Sequence, residues 1–298
     1  MNPNELLKKA RGLRRNITAP GSPFRYLRKG FLNLSRPIDT LRRVTRASAV
    51  TRSFPTELQS KLDTLNEKGY ADALTELDPA LLAELDTYCQ GKLAQNPDLQ
   101  SRMIAYWANL TTPEDKTIDG ILVRFALQEP VLKLAAAYFG QVPYLADVDI
   151  SVSFSTGKPA YETSQLWHRD YADHRTIKLW VYLTDVNTPE DGPLTYVEPG
   201  PSAKIKNTFF PGRVKDETIA ECLEPGEVKQ IFGKRGSAFY IDTRACYHCG
   251  SRLATGHRRV TYVATFLTRN SLFPCDNGIN GINGTGQLSE VEKLVLGI

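Results

Sequence analysis

His168 and Asp170 stand two residues apart in Trp167-His168-Arg169-Asp170. On an extended segment, residues i and i+2 project to the same side. One imidazole and one carboxylate would therefore enter the same space. Tyr247-His248-Cys249 offers a second imidazole far downstream. Two His and one carboxylate on one triangular face are the ligand set of mononuclear non-haem Fe(II), with the opposite positions open. The chain has four His: His168, His174, His248 and His257. An isolated His-x-Asp is also met as a plain hydrogen-bonded pair, so the order of the surrounding elements has to separate the two readings.

Those elements divide the chain near residue 146. Residues 147–154 alternate polar and apolar at period two, the pattern of a half-buried strand. Strand-like runs follow at 165–170, 176–183, 194–197, 228–231, 237–241 and 259–268. Turn signals such as Pro189-Glu190-Asp191-Gly192-Pro193 and Pro225-Gly226 separate them. Many short strands without intervening helices predict an antiparallel double sheet of the jelly-roll kind. Upstream, residues 54–140 read as helical. Asp78-Pro79 is an N-cap and N1 signature, and Leu82, Leu85, Cys89 and Leu93 supply an apolar face. A helix is expected over 99–107, where Met103, Ile104 and Trp107 are spaced for burial. Another is expected over 130–138, stopped by Gly140. Residues 277–286, rich in Gly and Asn, read as a mobile loop, and residues 288–296 as a closing helix capped by Ser289. The expected fold is α+β: a double-stranded β-helix (jelly-roll/cupin-like) core at 145–270, buttressed by N-terminal helices at 53–140. A loop and helix at 271–298 complete one domain, 53–298, behind an arm at 1–52.

With 298 residues, 41% of them hydrophobic and 23% charged, the chain can bury a full core. It lacks an apolar run long enough for a transmembrane helix. No apolar stretch follows Met1, which argues against a secretory signal. Five cysteines, an odd number without framework spacing, read as reduced thiols of a cytoplasmic protein. The net charge of +4 conceals an asymmetry. Residues 1–52 hold 13 Lys and Arg against Glu5 and Asp39, a balance of +11, and the remainder carries −7. Such an arm calls for an anionic partner. In it Phe24, Leu27, Phe31 and Leu34 recur at steps of three and four. Ile38, Leu41 and Val44 continue the stripe, with arginines between. This is the pattern of a helix lying peripherally on an anionic membrane. The competing reading is an arm that packs its apolar side on the main domain and solvates its arginines. No recognition motif accompanies the charge, which argues against nucleic acid.

In order, the chain presents Gln128-Glu129-Pro130, His168-Arg169-Asp170, Asp191-Gly192-Pro193-Leu194, Glu198-Pro199-Gly200, Gly236-Ser237-Ala238-Phe239-Tyr240-Ile241-Asp242, His248 and Gly256-His257-Arg258-Arg259. Over roughly residues 115–270 this series resembles the phytanoyl-CoA dioxygenase-like family of Fe(II)/2-oxoglutarate oxygenases. The resemblance implies a double-stranded β-helix core and iron held by His168, Asp170 and His248. It also implies an Arg, ten or eleven residues past the distal His, that anchors the far carboxylate of 2-oxoglutarate. Arg259 is eleven residues past His248. Arg258 is its neighbour on a period-two strand, so only one of them can face inward. Arg259 shares its face with Thr261, Val263 and Thr265, a small-residue lining, and Arg258 shares its face with bulkier Tyr262 and Phe266. Arg259 is favoured on that ground, with Thr261 as a further hydroxyl contact. The chain departs from the family at Pro199-Gly200-Pro201-Ser202, where many members have Pro-Gly-Ser-His. It departs again at Gly250, where a small polar residue is usual.

The implied activity is a 2-oxoglutarate-dependent dioxygenase that uses O2, hydroxylates an unactivated C–H bond and releases succinate and CO2. The carboxylate of Asp170 points to hydroxylation, desaturation or cyclisation rather than halogenation, because related halogenases carry a small residue there. Small-molecule, lipid and glycan substrates all remain open, and so does oligomeric state. Two other classes compete. One is a non-catalytic cupin-like binding module, whose face at Arg259 would be filled by side chains. The other is a membrane-surface protein whose arm does the main work. Cys246 and Cys249 form a lone CxxC without the further ligands of a zinc site, and read as core thiols. His174 and His257 read as loop residues, with His174 close to a substrate entrance. Lys178, on an apolar strand, would meet an anion if it faced inward.

Overall fold

Alternation along the strands assigns their two faces to two different neighbours. The computed structural model describes residues 24–158, 160–206, 212–272, 275, 277–281 and 288–298. The chain begins with helices α1 (Phe24–Ser35), α2 (Pro37–Val50) and α3 (Thr56–Lys68), then strand β1 (Tyr70–Asp72) and helix α4 (Pro79–Gln95). Strand β2 (Trp107–Asn109), helices α5 (Ile121–Ala126) and α6 (Glu129–Phe139), and strands β3 (Tyr144–Phe154), β4 (Ile177–Tyr182) and β5 (Leu194–Val197) follow. Helices α7 (Pro199–Ser202) and α8 (Asp216–Cys222) precede β6 (Val228–Ile231), β7 (Ala238–Asp242), β8 (Tyr247–Cys249) and β9 (Arg258–Leu267), and helix α9 (Glu290–Leu296) closes the chain.

The strands form two antiparallel sheets, a major one in the order β1-β7-β4-β9-β3-β2 and a minor one in the order β6-β5-β8. One face of the major sheet, with Val148, Ile150, Val152, Leu179, Val181, Val260, Tyr262 and Ala264, packs on the helices through Leu122, Phe125, Val131 and Leu134. Each fully buried Val, Leu, Ile or Phe side chain among these contributes about 1.5–3 kcal/mol. The Tyr262 hydroxyl is satisfied there by Leu122 O at 2.7 Å. The other face, with Tyr182, Phe239 and Ile241, meets Leu194, Tyr196 and Ile231 of the minor sheet. This is the mixed fold with a jelly-roll core that the sequence pattern predicts, and the polar alternates Asp147, Asp149, Ser151 and Ser153 line an open cavity.

The helix ends follow local chemistry. Asp78 caps α4, its carboxylate accepting from Ala80 N at 2.8 Å. Gly140 ends α6 with φ +65°, where a Cβ would be strained. Ser289 caps α9 in a reciprocal box with Glu292. Two expectations are corrected. Over 99–107 the chain makes only a short 3-10 turn, Leu99–Arg102. Ala105, at φ 62°, reverses the backbone, and Trp107 enters β2 on the edge of β3, where pairing with an open strand edge outweighs helical spacing. Over 165–170 there is no continuous strand: a 3-10 turn, Thr163–Gln165, leads to isolated bridges at Trp167 and His168. The expected loop at 277–286 is described to residue 281, where Asn280 bridges Thr117. Residues 282–287 and residues 1–23 of the arm lie outside the described residues.

The arm helices dock on the body, but not by their apolar side. Arg28 donates to Ser271 O, and Lys29 Nζ donates to Asp173 Oδ1 at 2.6 Å and Thr268 Oγ1 at 2.7 Å. Arg43 is 2% exposed, with its guanidinium on Val142 O, Pro143 O and Leu294 O. No helix among the described residues is long and apolar enough to cross a membrane.

Candidate metal centre

His168 and His248 meet across an antiparallel bridge. His168 N donates to His248 O (3.0 Å), and His248 N donates to His168 O (2.9 Å). Directly opposed residues of such a pair project to one side, and the ring centroids lie 4.3 Å apart. Each ring is oriented by the same device: Nδ1 lies 2.9 Å from Leu166 O in one and 3.2 Å from Cys246 O in the other. With the proton on Nδ1, each Nε2 presents a lone pair, the usual arrangement of a metal-binding His. Asp170 sits past the bridge and is held there by long-range contacts. Its N donates to Thr243 O at 2.8 Å, and its Oδ2 accepts from Thr243 Oγ1 at 2.6 Å and Lys178 Nζ at 2.7 Å.

One ligand atom from each of His168, Asp170 and His248 lies within 4.8 Å of the others. Metal–ligand bonds of about 2.1 Å at right angles set neighbouring donors about 3 Å apart, so small side-chain rotations close the set on an ion. The protonation states suit a divalent cation. Burial pushes His248 down to about 3, helped by His168, and burial also lowers His168; both rings are neutral at pH 7. Burial alone would raise the Asp170 carboxyl, but Lys178 and the two imidazoles together hold it well below the usual carboxylate range.

A cavity of about 290 Å³ opens beside this centre, between β3, β4 and β9. Its walls include Asp147, Asp149, Ser151, Lys178, Trp180, Arg259, Thr261 and Thr265. Arg259 is 3% exposed and faces inward, whereas Arg258 is exposed. The Arg259 guanidinium donates to Gly192 O and to Ser251 Oγ, and its Nε finds no partner. Among the described residues no carboxylate pairs with it. A buried cation without a counter-ion is costly. Thr261 lies on the same wall, 3.3 Å from Ser151 Oγ.

The other sequence candidates fall elsewhere. His174 contacts Asp173, and His257 lies 2.9 Å from Asp191 Oδ1. Cys246 and Cys249 are buried free thiols; burial raises both, Cys249 to about 12. Thr243 and Ser251 carry no sequence signal. Ser251 stands at φ 57° and its hydroxyl donates to Ser153 Oγ at 2.8 Å, which fixes the oxygen that Arg259 grips. Only the inward parity of Ser153 on the 147–154 run could have pointed to this relay.

No protein-family model matches the sequence, and no curated protein matches it. Solved structures with the same fold do. The epimerase SnoN in complex with Fe3+, alpha ketoglutarate and nogalamycin RO is 18% identical and covers 79% of this chain and 91% of its own, with a TM-score of 0.52. EctD from S. alaskensis with bound Fe is 15% identical over 74% of this chain and 80% of its own, with a TM-score of 0.53. AviO1 from Streptomyces viridochromogenes Tue57 is 17% identical over 75% of this chain and all of its own, with a TM-score of 0.50. At these identities the likeness is one of fold.

Proposed function

We propose that the protein is an Fe(II)/2-oxoglutarate-dependent oxygenase that hydroxylates a C–H bond of a small organic substrate. The carrying observation is the donor set itself: two oriented neutral imidazoles and one ionised carboxylate, their ligand atoms within 4.8 Å. His168, Asp170 and His248 would hold the metal, and Arg259 with Thr261 the far carboxylate of 2-oxoglutarate. When bound, iron and 2-oxoglutarate supply the oxidant from O2, with decarboxylation of the keto acid to succinate. The protein's own part is binding and orientation. Thr243 and Lys178 fix the Asp170 carboxylate, the carbonyls of Leu166 and Cys246 fix the ring tautomers, and the guanidinium of Arg259 offers its fork to a carboxylate.

Two of the structural neighbours hold iron, one of them with alpha ketoglutarate, which supports the reading. The neighbour described as an epimerase keeps other outcomes of the same oxidant in view. A non-catalytic cupin-like module fits less well, because its inward face should be filled, and a cavity opens at Arg259. The test is anaerobic addition of Fe(II) and 2-oxoglutarate, followed by air. The expected results are a weak visible charge-transfer band and then succinate. Absence of both rejects the proposal.

A further inference from the structure

Helices α1 and α2 are amphipathic in the reverse of the usual sense. A helix docked on a globular body turns its apolar stripe inward. Here the inward contacts are Arg28, Lys29 and Arg43, bonded to backbone carbonyls and to Asp173, with Ala47 beside them. The apolar stripe faces out: Leu27, Phe31, Leu34, Ile38 and Leu41 are each 67–82% exposed, and Tyr26 and Val44 extend it at either end. Their spacing carries one stripe across the Pro37 junction. Arg36 and Arg46 lie exposed beside it, and Arg42, also exposed, pairs with Glu290. Asp39, the acid within these two helices, is engaged by Arg43 at 3.1 Å.

The face cannot turn inward without breaking the Lys29–Asp173 pair and extracting a buried guanidinium. We propose that it docks on an anionic lipid surface, with the large apolar side chains in the acyl boundary and the arginines among the headgroups. Charge selects this occupant. A second copy of the chain would set one cationic face against another, whereas acidic headgroups complement an arm with a balance of +11 over residues 1–52. Docking would also hold the segment after Asp170 near the surface, since Lys29 grips Asp173 and Thr268, each three residues beyond a residue of the metal centre or cavity. The proposal stands whether or not the cavity turns over 2-oxoglutarate.

The test is co-sedimentation of the full chain with phosphatidylcholine vesicles, with and without phosphatidylglycerol. The expected result is binding to the anionic vesicles and much less to the neutral ones. The double substitution Phe31→Ser, Ile38→Ser should lower the partition at least about tenfold while leaving the circular-dichroism melt unchanged, because both side chains are exposed. If that variant melts early, Leu34→Ser with Leu41→Ser replaces it. A wild type that ignores anionic vesicles, or binds neutral ones equally, overturns the proposal, as does a well-folded variant that binds as before. A wild-type dimer by light scattering that becomes monomeric in the variant assigns the face to a second copy and overturns it too.

Discussion

At the scale of single residues, the candidate centre separates groups that would touch a metal from groups that aim them. Thr243 aims Asp170 by donating its hydroxyl to Oδ2. Loss of such a supporting hydrogen bond typically weakens metal affinity about 10–100-fold. Thr243→Val should therefore bind Co(II) at least tenfold more weakly in a calorimetric titration, with no change in stoichiometry. Arg259 and Arg258 give a paired test. Arg259→Met should weaken 2-oxoglutarate binding to the metal-loaded protein by roughly a hundredfold, the equivalent of about 2.7 kcal/mol for a charge-assisted pair. Arg258→Ala should leave it within about twofold, because that side chain is exposed. Equal effects would mean that the inward wall is misassigned.

At the scale of elements, one of the contacts that hold α1 to the body is the buried carboxylate of Asp173, which takes Lys29. Burial would raise Asp173, but hydrogen bonding with His174 and the charge and hydrogen bond of Lys29 outweigh it, with Thr268 helping, and hold it at about 2. A folded-state value below the unfolded one means stability that is present above about pH 4 and lost as pH falls toward 2. The shift corresponds to about 2 kcal/mol at neutral pH, and roughly half should be gone by pH 3. In urea titrations, Asp173→Asn should trail the wild type by that margin at pH 6, and the gap should narrow at pH 3. A constant gap would contradict the assignment. The elements also mark what could be read in the sequence. The strands at 147–154 and 259–268 were legible because alternation at period two has one structural meaning, that at 176–183 because a short apolar run follows the His168 segment and ends before turn residues, and α4, α6 and α9 because Asp78, Gly140 and Ser289 punctuate them. The 99–107 segment was not, because apolar spacing says nothing of a neighbouring sheet edge. Nor was the local shape around Asp170, which is set by Thr243, distant in sequence, and by Lys178, whose place on an apolar strand is legible but whose partner is not. The arm was legible as amphipathic, but which face turns inward depends on the acids and carbonyls of the body that meet it.

At the scale of the whole molecule, the helices and the outer face of the major sheet form one apolar cluster that contains none of the candidate ligands His168, Asp170 and His248. Chelation should therefore leave a cooperatively folded protein. Added metal should raise its melting temperature only as far as mass action allows, about 2.7 kcal/mol at a hundredfold excess over the dissociation constant. Collapse of the circular-dichroism signal on chelation would place the metal in the fold instead of the site. Three side chains, brought together from positions 168, 170 and 248, would form a single metal site. Anaerobic equilibrium dialysis against Fe(II) decides whether they do. The wild type should retain one ion per chain, and Asp170→Ala and His248→Ala should retain none while melting as cooperatively as the wild type; retention of iron by both variants, or none by the wild type, would rule this site out.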